Sequence, residues 1–118
     1  MEPLRPGASG SLELKEGDPG RYLASGALTF ATARRARELG LSAFGAARSR
    51  EIVVDCAGID ASDSAGMTVL LDWLSFAKRT GRSLRFGNLP AQVQAVARIS
   101  DVLELLERGV QQSDVPLQ

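Results

Sequence analysis

The chain has 118 residues, 14 of them basic and 14 acidic, with 44% hydrophobic and 24% charged residues. That length suits one domain with one core, and the composition is that of a globular protein rather than a disordered one. Balanced charge without a basic block excludes the electrostatic footprint of a nucleic-acid binder, the single cysteine excludes an internal disulfide, and the absence of histidine removes Ser-His-Asp and Cys-His catalysis and His-ligated zinc.

Residues 1–10 carry Pro, Gly and Ser without a period and are expected to form a flexible N-terminal tail. Ser11 to Lys15 alternates, with Leu12 and Leu14 on one face, and the turn Glu16-Gly17-Asp18-Pro19-Gly20 leads into Arg21 to Ser25 as the second strand of a hairpin. Thr29 is the expected N-cap of a first helix, in which Phe30, Ala33, Arg34, Ala36 and Arg37 follow at helical spacing until Gly40 supplies a stop. Leu41 to Arg50 is rich in small residues and fits no period. Ile52-Val53-Val54 is a short β-branched run, the pattern of a strand covered on both faces, and Cys56 beside it reads as a buried, inert thiol.

The strongest helix signal is Asp63 to Thr80. Met67, Leu70, Leu71, Leu74 and Ala77 fall at i, i+3, i+4, i+7 and i+10, one buried stripe that ends at Gly81. Ser83 to Phe86 is the next strand. Gly87-Asn88-Leu89-Pro90 turns the chain into a short helix from Ala91 to Arg98, and a last helix runs near Asp101 to Arg108. Strands alternating with helices predict an α/β fold whose sheet is largely parallel beyond its first hairpin. One domain is expected over residues 11–109, with a C-terminal tail over 110–118. No run approaches about 18 apolar residues, so neither a membrane span nor a secretory signal is expected.

The informative stretch is Asp55 to Gly66, read as a loop joining a buried strand to the long helix, beyond the carboxyl end of a parallel strand where α/β sheets place functional groups. Ser62 or Asp63 can cap the helix, which puts Ser64 in or beside its first turn. One reading is simply an over-provided cap. The other is an exposed Ser64 hydroxyl kept for partner contact or phosphorylation, which would add charge beside Asp60 and Asp63. Along the helix, Ser64, Thr68, Asp72, Ser75 and Arg79 form a polar stripe, and Val69, Trp73 and Phe76 a second apolar strip. That strip is either core beneath a neighbouring segment or a docking edge that exposes Trp73. Asp60-Ala61-Ser62-Asp63-Ser64 also spells the D-x-S-x-S of a metal-dependent adhesion site. That site needs distant ligands and a larger fold, and the strand is expected to end well before Asp60, so no metal is assigned.

Ile52 to Ile59, then Asp63-Ser64-Ala65-Gly66-Met67, then Gly81 to Pro90 resemble the STAS domain of bacterial anti-sigma factor antagonists. Within that family, Gly26 to Thr32, the helix centre Leu70-Leu71-Asp72-Trp73-Leu74 and the stretch Ala91 to Leu106 are similar to the MlaB branch, the small STAS subunit of a phospholipid-transport ABC system. The resemblance implies a mixed sheet of roughly four to five strands with helices mainly on one face. It implies a non-enzymatic regulatory subunit without a cofactor, cytoplasmic and held at the inner membrane through its partner, with no direct membrane insertion and no nucleic acid. The partner would be the transporter's ATPase subunit, bound through Asp63, Ser64, Thr68, Asp72 and Trp73, in support of outer-membrane lipid asymmetry. The alternative it implies is an anti-sigma factor antagonist whose partner is a kinase that phosphorylates Ser64. Ala65 stands where the antagonists commonly carry a second hydroxyl, which favours the MlaB branch.

Overall fold

The computed structural model describes residues 11–111. The N-terminal tail expected over 1–10 and residues 112–118 of the C-terminal one lie outside them. In chain order the elements are β1 (Glu13–Glu16), β2 (Arg21–Leu28), α1 (Ala33–Ala46), β3 (Glu51–Ser62), α2 (Ser64–Arg79), β4 (Ser83–Gly87), α3 (Ala91–Ile99) and α4 (Leu103–Arg108). The strands form one four-stranded sheet in the order β1-β2-β3-β4. β1 pairs antiparallel with β2 as a hairpin, while β2–β3 and β3–β4 are parallel, so this is a mixed α/β sheet.

Side-chain alternation decides which face the helices take. Tyr22 and Ala24 of β2, Ile52, Val54 and Cys56 of β3, and Leu84 and Phe86 of β4 are buried on one face. Their neighbours Arg21, Leu23, Glu51 and Arg85 are exposed on the other. Ile52-Val53-Val54 is therefore covered on one face and not on both: Val53, between two buried residues, is only half-buried. Burial pushes the Cys56 thiol up to about 12, so the inert reading of that residue has a physical cause.

Three expectations need correction. Gly40 does not end the first helix, which runs on to Ala46, because Gly40 is where the Trp73 indole packs and a side chain there would collide with the ring. Thr29 is not the N-cap; Thr32 is, and its hydroxyl turns back to the Ala27 carbonyl oxygen instead of bonding the helix. The stretch from Asp55 to Ser62 is not a loop but the continuation of β3. The β2–β3 register shifts between Leu23 and Ser25 and again between Gly26 and Ala27. These irregularities insert extra β3 residues and break the alternation that would have marked the strand.

At the other end, Val110 is buried and bridges to Leu84 of β4, so the tail expected from residue 110 begins with a residue built into the sheet. Where β3 meets the turn after β4, Asp55 Oδ1 accepts from Asn88 Nδ2 at 3.0 Å and from the Ala57 N–H at 2.9 Å. These bonds, the Asn88 one first, hold the Asp55 carboxyl below the ordinary carboxylate value. A carboxyl held down by folding contributes stability above its unfolded pKa, about 4, and that contribution is lost as pH falls through the folded value. Asn88 holds φ 53, which glycine adopts without strain. Asn88→Gly is therefore expected to lower stability at neutral pH and to flatten its decline on acidification. Urea midpoints between about pH 7 and pH 3 check this, and parallel acid profiles would refute it.

Candidate functional site

The site forms where the carboxyl ends of β2 and β3 meet the amino ends of α1 and α2, the position at which parallel sheets present functional groups. β3 passes into α2 through Asp63 alone, whose extended backbone makes it the N-cap. Its carboxylate does two jobs. Oδ1 accepts from the Gly66 N–H at 3.0 Å, which satisfies an otherwise orphan donor of the first turn. Oδ2 accepts from the Phe30 N–H at 3.0 Å, which ties α2 to the turn between β2 and α1. Both carboxylate oxygens are engaged by amides, an arrangement that suits a brace rather than a metal ligand. β3 continues to Ser62, so the strand does not end well before Asp60 as expected.

The two helices run side by side in the same direction. Phe30 bonds Asp63 and, ten residues further along each segment, Gly40 meets Trp73, with the Arg37–Asp72 pair between them. Gly66 permits the close approach at the sheet end, since a side chain there would strike the Leu28 carbonyl oxygen.

Of the residues singled out from sequence, Ser64 and Thr68 are exposed, and the Thr68 hydroxyl donates to the Ser64 carbonyl oxygen at 3.2 Å. Asp72 is half-exposed and accepts from Arg37 Nε at 3.2 Å, with side-chain exposures of 49% for Arg37 and 42% for Asp72. A pair that open contributes about 0.5 kcal/mol, little enough for either partner to be re-paired on docking. Ser75 and Arg79 continue the exposed stripe.

Trp73 does not belong to this surface. It is fully buried, meets Phe44 edge-on with ring centroids 5.4 Å apart, and its indole N–H points at the Arg37 carbonyl oxygen at 3.4 Å. Phe44 in turn meets Tyr22 edge-on at 5.3 Å, so one aromatic column joins β2, α1 and α2. Of the strip, Trp73 and Phe76 lie against α1, at Gly40 and Gly45, and Val69 is buried in the core. What sequence reasoning missed is Phe30, which is 83% exposed although its spacing fits the apolar stripe of α1. It lies before the helix begins, in the turn, and no pattern in the sequence distinguishes it from a core residue.

Comparison with known proteins agrees with this geometry. The unphosphorylated form of the anti-sigma factor antagonist SpoIIAA is similar at a TM-score of 0.57 and 15% identity, over 75% of this chain and 82% of that one. The murine Solute Carrier 26 family member A9 anion transporter, in its inward-facing state, gives 0.58 and 22% identity over 75% of this chain, but the match spans 15% of the transporter. Another SLC26A9 structure gives 0.57 and 18% identity over 72% of this chain and 16% of its own. Identities this low carry the fold alone. No curated protein matches the chain. With residues 15–107 matching the family model described as "Mlab, STAS domain", the chain belongs to the MlaB-type STAS domain family, whose domains are of regulatory, protein-interaction character.

Proposed function

We propose that this protein is a non-enzymatic regulatory subunit that binds and supports the ATPase of a phospholipid-transport ABC complex maintaining outer-membrane lipid asymmetry. The observation that carries the reading is the match to the MlaB-type family over residues 15–107. The docking surface is the exposed end formed by Ser64 and Thr68 on α2, with Asp63 beneath it and Asp72 at its flank. Rigidity supports this role: a strand that enters a helix through one capped residue presents Ser64 with little left to order on binding. No helix among the described residues is long and apolar enough to cross a membrane. The subunit would reach the inner membrane, on its cytoplasmic side, through the ATPase.

Affinity purification of the tagged protein from its own cells, with mass spectrometry of its companions and of Ser64, tests the reading. Recovery of an ABC ATPase together with its permease, with Ser64 unmodified, is the expected result. Recovery of a kinase with Ser64 phosphorylated would replace it by anti-sigma antagonism, a reading favoured by the exposure of the Ser64 hydroxyl.

Ser64→Asp is expected to weaken ATPase binding by roughly tenfold, because it sets a second carboxylate beside Asp63 at the contact. Its melting temperature should not fall, since an acid in the first turn suits the helix dipole. Titration calorimetry beside thermal unfolding separates the effects, and unchanged affinity would remove Ser64 from the interface.

A further inference from the structure

We infer that Phe30 is the anchor of the docking surface, an aromatic knob that enters an apolar pocket on a protein partner whose rim carries carboxylates facing Arg34. The inference rests on the docking reading above and adds to it the residue that dominates the contact and the kind of surface it meets.

Two side chains hold this knob in place. Phe30 sits at the tip of the turn between β2 and α1 with its side chain 83% exposed. From one side, Asp63 Oδ2 accepts its backbone N–H at 3.0 Å. From the other, Thr32 Oγ1 accepts the Thr29 N–H at 3.0 Å and donates to the Ala27 carbonyl oxygen at 2.8 Å, while the Thr32 N–H donates to the Thr29 carbonyl oxygen at 3.0 Å. The N-cap hydroxyl has thus been taken from the helix, where it would normally serve, to brace the turn. An aromatic fixed in position before its partner arrives loses little further entropy on binding, the property of interface anchors.

Charge indicates the partner's chemistry. Arg34 is exposed one turn before Arg37 on the flank of α1 that faces α2, which places it alongside Thr68 by the parallel run of the helices. Asp72 is answered by Arg37, and both oxygens of Asp63 accept N–H groups, whereas Arg34 makes no ion pair among the described residues. The amino ends of α1 and α2 add positive dipole ends at the same place. A pocket rimmed by carboxylates complements this field. A lipid surface fits less well, because it would take several apolar side chains in one plane and here there is one. Asp60, exposed on β3, would repel carboxylates as it would lipid phosphate, so the complementary rim is confined to the α1 side, facing Arg34.

The test titrates the purified ATPase subunit of the phospholipid-transport complex from the same cells with wild type, Phe30→Ala, Thr32→Val, Arg34→Glu and Ile99→Ala. Ile99 is 86% exposed at the end of α3 and serves as an equally apolar control away from the turn. Phe30→Ala is expected to lose about tenfold or more in affinity with an unchanged melting temperature, and Ile99→Ala to stay within about twofold of wild type. Thr32→Val keeps the knob but removes its brace, and should lose several-fold. Arg34→Glu should weaken binding most at low salt. If wild type and Phe30→Ala bind equally, this inference is overturned while the docking reading stands. If wild type does not bind the ATPase, the docking reading falls and the inference with it. Phe30-dependent binding to phosphatidylglycerol vesicles by a protein that ignores the ATPase would assign the knob to lipid and overturn the protein pocket.

Discussion

Trp73→Ala is expected to cost about 3–5 kcal/mol of folding free energy, the largest loss of any single substitution considered for this chain. The side chain is fully buried, is the largest in the core, and closes the aromatic column Tyr22–Phe44–Trp73 that fastens α1 and α2 to the sheet. Removing it leaves a cavity that Gly40, with no side chain, cannot help to fill. A domain of this size has a total stability of about 5–15 kcal/mol, so the variant should melt tens of degrees lower or fail to fold at growth temperature. Urea unfolding of Trp73→Ala and the milder Trp73→Phe measures the loss. The decisive comparison is with affinity: ATPase binding by the folded fraction of Trp73→Phe should be unchanged. An intact melting temperature with lost affinity would return Trp73 to the docking surface.

Gly66→Ala should destabilise by about 2–4 kcal/mol although it replaces a glycine within a helix. Helix propensity alone favours alanine by about 0.5–1 kcal/mol, so the sign of the effect separates the two accounts. The new methyl group would collide with the backbone oxygen of Leu28 at the end of β2, and backbone cannot swing aside as a flexible side chain can. Relief requires α2 to retreat from β2, which strains the Asp63 bonds to Gly66 and Phe30 and adds the loss of a cap, about 1 kcal/mol. Binding should fall with stability, because the same shift releases the turn that carries Phe30. Chemical unfolding and hydrogen exchange at the Phe30 amide are the measurements. A variant more stable than wild type would show that the contact relaxes freely.

Reading from sequence succeeded where a pattern has one physical cause. Met67, Leu70, Leu74 and Ala77 of the expected stripe are buried as its spacing required, whereas Leu71, at its edge, is only half-buried. Residue type and the helical run behind them allowed Ser62 or Asp63 as the cap of α2, and the structure selects Asp63. The hairpin, the short β4 and the order of elements were legible for the same reason, and so was the polar stripe that begins with Ser64 and Thr68.

Reading failed where the cause lies in another segment. Gly40 looks like a helix stop until the Trp73 ring fills the space beside it. The far half of β3 looks like a loop because extra residues interrupt its alternation, and its pairing with β2 is long-range. Val69, Trp73 and Phe76 could face solvent or a helix, and only tertiary packing makes Val69 and Trp73 core, with Phe76 partly buried against them.

Composition, periodicity and capping residues by themselves determined an α/β domain without histidine chemistry, with a long capped helix. The tertiary structure alone decided which aromatic residue is buried and which is exposed. Trp73 and Phe30 both carry apolar spacing, and the difference arises from α1, which packs over one and begins just after the other. Local sequence encodes the period of a segment, whereas exposure depends on what another segment, distant along the chain, lays across it.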